Sequence, residues 1–166
     1  MAVQPIRLFG DPVLRTTAEP VVAFDRELRS LVKEMQAILR SRPGRAGIAA
    51  PQIGVPIRVV AFNFEGRAGH LVNPTLETSG RRIQADESCL STPGASGNGF
   101  WWPVSRPYAA IARGKDATGK SVTVRGLGMF ARVLQHEVDH LDGVLFFDHL
   151  TPEDQEQALA ELTQVH

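Results

Sequence analysis

Between residues 25 and 40 the apolar positions Leu28, Leu31, Val32, Met35, Ile38 and Leu39 recur every three to four residues. That period places them on one face of an amphipathic helix packed on a core. Asp25 stands where an N-cap belongs, and Arg42-Pro43-Gly44 predicts the stop. Next comes Gly47-Ile48-Ala49-Ala50-Pro51-Gln52-Ile53-Gly54. Its small residues, proline and two glycines predict a tight loop or short strand that another group approaches closely. The period then shortens. Ile57, Val59, Val60, Phe62 and Phe64 predict a strand over 57–64, residues 70–73 a second, and 81–91 extended chain up to Cys89.

Beyond Cys89, glycine, serine, asparagine and proline surround Phe100-Trp101-Trp102. Gly94–Arg106 therefore reads as a long loop with an aromatic tip, shaping one side of a binding groove. Tyr108–Arg113 and Ser121–Arg125 flank Gly114–Lys120, a hairpin signal. Leu127–Leu141 is helical, with Phe130, Val133, Leu134 and Leu141 on its apolar face and Gly143 as its stop. Phe146 and Phe147 anchor the exit, and Thr151-Pro152-Glu153-Asp154 opens a short final helix. The order is helix, several strands, helix, helix. It predicts one α+β domain over residues 1–166, with mostly antiparallel sheets around a central helix, an N-terminal helix and a short C-terminal one.

Composition adds mainly exclusions. The 43% hydrophobic and 22% charged fractions are those of an ordinary globular chain. Lys+Arg and Asp+Glu each total 18, so no bulk charge attracts nucleic acid or an anionic membrane. No apolar run approaches the roughly 20 residues that span a bilayer. Met1–Arg7 shows neither a signal-peptide nor a transit pattern, so a cytoplasmic setting is expected, bacterial or else organellar. The lone cysteine, Cys89, has no intrachain disulfide partner.

The chemistry begins at His136-Glu137-Val138-Asp139-His140, an H-E-x-x-H sequence. On a helix, residues four apart share a face, so two imidazoles can hold one metal with Glu137 beside the water it activates. A catalytic site of this kind takes a third protein ligand and keeps one position open. The extended pattern that ends in a third histidine fails, because Phe146 stands at that place. Glu161 is the only downstream carboxylate at a suitable distance, but it lies near the chain end. Cys89, in Asp86-Glu87-Ser88-Cys89-Leu90-Ser91, is the remaining good ligand. A Cys-His-His set suits Fe(II), Zn or Ni.

Three segments together resemble the peptide deformylase family. Its G-φ-G-φ-A-A-P-Q motif is similar to Arg45-Ala46-Gly47-Ile48-Ala49-Ala50-Pro51-Gln52. Its E-G-C-L-S motif is similar to Glu87–Ser91, and its Q-H-E-x-D-H-L-x-G motif to Gln135–Gly143. Leu8–Arg15 also resembles the family's opening segment. The resemblance implies one divalent metal per chain, Fe(II) above all with Zn or Ni compatible, held by Cys89, His136 and His140. It makes Glu137 the general base and acid, and Gln52 and the Leu90 N–H the oxyanion donors. Glu87 and Arg106 would hold the ligands in place. Ala46, Gly47, Ile48, Met129 and Val133 would contact the substrate, with Ala85 facing the same pocket. The implied reaction removes the N-formyl group from formylmethionyl nascent chains, releasing formate. The alternatives are an amidase acting on a specialised N-formyl compound, a non-catalytic peptide binder, and a zinc protease using Glu161.

This chain departs from the motifs at three places. Arg45 replaces the first glycine, with Gly44 able to take over the turn; Ser88 replaces the motif-two glycine; Ala46 replaces a bulkier aliphatic residue. The last predicts a roomier pocket for the substrate's first side chain. Some relatives are thought to dock on ribosomes through a basic C-terminal helix. Here that helix bears Glu153, Asp154, Glu156 and Glu161 and no Lys or Arg, so such docking and direct nucleic-acid binding are not expected.

Overall fold

The structure is a computed structural model that describes residues 4–92 and 100–163. Five strands, β1 (Gly47–Ala49), β2 (Val59–Phe64), β3 (Arg67–Glu87), β4 (Trp102–Lys115) and β5 (Ser121–Leu127), join one antiparallel sheet in sequence order. Helix α1 (Arg26–Arg40) precedes the sheet, and α2 (Gly128–Leu141) and α3 (Pro152–Thr163) follow it. The α+β reading therefore holds, with the strands forming a single sheet.

The sheet is covered on both sides where β1 and β2 lie. Ile48, Val59 and Ala61 pack with Leu28, Val32, Met35, Ile38 and Leu39 of α1. Their neighbours Ala49, Val60 and Phe62 pack with Phe130, Val133 and Leu134 of α2. Successive strand side chains point to opposite faces, so a strand between two helices is apolar at every position. That explains the unbroken Val59-Val60-Ala61-Phe62. A third cluster seats α3 through Ala158 and Leu162 on Leu14, Phe146 and Phe147.

Local signals set the ends of the elements. Asp25 caps α1 by accepting the Leu28 N–H at 3.0 Å. At the other end Gly44 has φ +84°, the left-handed turn that a side chain disfavours. Arg45, freed from that conformation, donates to Ile38 O at 3.0 Å and Ser41 Oγ at 2.9 Å, placing a cation at the helix C-terminus.

The sequence reading fails in two places. It divides β3 into pieces at 70–73 and 81–91, but the strand is continuous over 21 residues. Register shifts between Val72 and Thr75 and between Ser79 and Arg82 absorb Pro74 and Gly80, residues that otherwise mark turns. The loop assigned to Gly94–Arg106 is also too long. Residues 93–99 lie outside the described residues, whereas Trp102–Arg106 pair with Ile83–Glu87 as the start of β4. Phe100 is buried against Trp102 and Phe146, and only Trp101 of the three aromatics stays largely exposed.

Candidate metal centre

Helix α2 carries His136 and His140 one turn apart, their rings 5.1 Å between centroids. Cys89 enters from just beyond the end of β3, its Sγ 3.2 Å from His140 Nε2. Ligand atoms of Cys89, His136 and His140 all lie within 4.8 Å of one another, the one such cluster among the described residues. Glu161 is exposed on α3 and not part of it, so it is no third ligand.

Electrostatics show that the donors suit a cation. Burial works against a charged His136, but Cys89, Glu87 and Glu137 outweigh it and hold the imidazole well above its ordinary pKa. Burial, aided by the charge of His136, keeps His140 well below its own, in the neutral form that binds metals. The residues fit a soft or borderline divalent ion.

Glu87 orients this set. Its Oε2 faces His136 Nδ1 at 3.1 Å, leaving Nε2 for the ligand position. Arg106 grips the same carboxylate through Nε and Nη2 and reaches Asp139 through Nη1 at 2.8 Å. Burial pushes the Glu87 carboxyl up, but hydrogen bonds from His136 and Arg106 win, and it stays far below the usual carboxylate range. The sequence reading missed a second arginine. Arg132 donates to Glu87 Oε1 at 2.7 Å, Val104 O at 2.8 Å and Ile83 O at 2.7 Å. It lies one turn before His136, and nothing in its local pattern marks it as more than a polar helix position.

Glu137 is buried beside the ligands, and its Oε2 has no hydrogen-bond partner among the described residues. Burial raises its pKa to about 7. Gly47 lets β1 approach it: a Cβ there would lie 2.4 Å from Glu137 Oε1. Gln52 sits on a short 3-10 turn, Ala50–Ile53. Its Oε1 accepts the Ala49 N–H at 2.9 Å, and its Nε2 lies 3.3 Å from Cys89 Sγ. The Leu90 N–H meets no acceptor among the described residues.

A cavity of about 690 Å³ opens onto this centre. Ala46, Gly47, Met129 and Val133 line it as the sequence reading expects, and Arg132 and Trp101 join them. Ile48 and Ala85 do not. The Ile48 side chain alternates away from its neighbours and is fully buried against α1.

The sequence profile of polypeptide deformylases matches residues 3–156. This chain belongs to the polypeptide deformylase family. A peptide deformylase of Acidothermus cellulolyticus is 49% identical over 164 residues, covering 99% of this chain and 88% of that protein. One of Parafrankia is 43% identical, covering 99% and 87%. The crystal structure of a peptide deformylase from Legionella pneumophila superposes with a TM-score of 0.87 at 34% identity, covering 98% of this chain and 95% of that one. A Synechococcus elongatus peptide deformylase solved with actinonin gives 0.85 at 32% identity, covering 99% and 89%.

Proposed function

We propose how these residues carry out the family's reaction, the hydrolytic removal of the N-formyl group from nascent polypeptides. Cys89, His136 and His140 hold the metal, which we assign as Fe(II), with Zn and Ni compatible with the same donors. Such a cation is a Lewis acid and makes a water molecule acidic enough to act as nucleophile near neutral pH.

The protein groups do the rest. Glu137, with an open Oε2, takes a proton from the attacking water and delivers it to the amide nitrogen as the C–N bond breaks. Formate and a free amine result. Gln52 Nε2 and the Leu90 N–H face the developing oxyanion as preorganised donors. The unpaired Oε2 of a buried carboxylate, next to three converging ligand atoms, is the observation that carries this reading.

The peptide docks on the free edge of β1. Residues along an antiparallel strand alternately face the partner strand and face away. The Asn63 N–H donates to Ala46 O at 2.8 Å, so Ala46 and Ile48 face β2. The N–H and C=O of Gly47 then point outward, where an extended peptide can pair with them. Its first side chain enters the cavity between Ala46, Met129 and Val133. With only a methyl at Ala46, formyl-Phe and formyl-norleucine peptides should be cleaved within about tenfold of formyl-Met, given the small discrimination apolar pockets achieve. Strong selection for formyl-Met would refute the enlarged pocket.

The setting we assign is cytoplasmic, and no helix of the described chain is long and apolar enough to cross a membrane. The first turn of α3 carries Glu153 and Asp154 and its last turn no basic residue, so we assign it no role in docking on ribosomal RNA. Ribosome pelleting that required residues 152–166 would overturn that.

The deciding experiment is formate release from formyl-Met-Ala-Ser by anaerobically purified protein, with metal content measured alongside. Activity should follow the iron content and vanish in Glu137→Ala.

A further inference from the structure

The direction of the Gln52 amide is set by more than its own loop. Ser91 is fully buried, and its Oγ lies 3.1 Å from Gln52 Nε2. Two residues earlier Cys89 presents Sγ to the same nitrogen at 3.3 Å, and the Ser91 N–H points at that sulfur at 3.4 Å. The opening segment ties both loops together. The Arg7 N–H donates to Gln52 O and the Phe9 N–H to Ser91 O, each at 2.7 Å. With Oε1 fixed by the Ala49 N–H, the amide cannot flip without losing a buried hydrogen bond. What remains is the plane of the amide, governed by a soft terminal torsion.

We propose that Ser91 is a positioning residue for the oxyanion donor, its buried hydroxyl accepting one Nε2 hydrogen of Gln52 so that the other is held toward Cys89 Sγ, on the side where the formyl oxygen would bind. The two hydrogens of a primary amide diverge at a fixed angle. Holding one therefore orients the other before substrate arrives, which is where preorganised donors gain their effect. Ser91 acts only through Gln52 and touches no reacting atom. This rests on the assignment of Gln52 as oxyanion donor.

The test is a double-mutant cycle on formyl-Met-Ala-Ser, using Ser91→Ala, Gln52→Ala and both together. Removing a whole oxyanion donor costs on the order of 10²–10³ in kcat. Ser91→Ala should cost roughly ten- to a hundredfold in kcat, with KM and metal content unchanged. It should cost almost nothing further in the Gln52→Ala background, and Ser91→Thr should restore much of the loss. Effects that multiply, a loss confined to KM, or loss of metal from Ser91→Ala would each overturn the proposal. A readout independent of turnover separates it from the deformylase reading. In zinc-loaded protein the Gln52 side-chain amide protons, assigned by their absence in Gln52→Ala, should shift upfield in Ser91→Ala. Unchanged shifts refute the hydrogen bond; shifted protons in an enzyme that releases no formate would instead count against the deformylase reading.

Discussion

Glu137 is a carboxylate placed where a carboxylate is costly. It is buried, and one of its oxygens has no hydrogen-bond partner among the described residues, which costs stability. Glu137→Gln should therefore keep its metal, lose activity by on the order of 10²–10⁴, and melt at a higher temperature than the wild type. Cys89→Ser should lose the metal as well. Metal analysis and thermal melts separate the two, and a Glu137→Gln protein that melts lower would contradict the first. The His136–Glu137–His140 set was legible in the sequence because all three sit within two turns of one helix. Arg132 and Ser91 were not. Their contacts with Glu87 and Gln52 cross 45 and 39 residues, and no local period encodes such pairs.

Elements bring these residues into register through one close approach. β1 presses against α2 at Gly47, where a side chain would strike Glu137. Gly47→Ala should leave the ligands loaded but push the carboxylate aside, lowering kcat/KM by about a hundredfold, since a displacement near 1 Å can cost that much. Normal kinetics for Gly47→Ala would show that the strand has room to retreat. The helices were legible because their apolar stripes and caps are local, as Asp25 shows for α1. β3 was not. Its bulges hide Pro74 and Gly80 inside a strand, and only pairing with β4 reveals that the chain never turns. The same pairing recovers Trp102–Arg106 from an apparent loop.

At the scale of the whole molecule, one joint of the sheet is sensitive to protonation. His70 on β3 accepts the Ala117 N–H at Nε2, 2.9 Å away, which fastens the β4–β5 turn to the sheet. Burial lowers the His70 pKa from its usual 6.5, against the pull of Asp116. The native state then stays neutral where the unfolded chain takes up a proton. Stability is complete above pH 6.5 and falls as the pH drops through it toward the lower native value. Melting temperatures between pH 8 and 5 should show this, with a shallower slope in His70→Gln, which accepts a hydrogen bond at every pH. Equal slopes would remove His70 from the account.

The edge of β1 is three residues long, and the peptide we place there must lie flat along it. A terminus already wound into a helix or paired into its own sheet has no free backbone to offer. The enzyme therefore works against a clock set by its substrates: each new chain can be read only until its first residues find a partner of their own. Proteins whose amino termini fold late should be processed most completely. Those that bury their first strand early should keep some of their formyl groups.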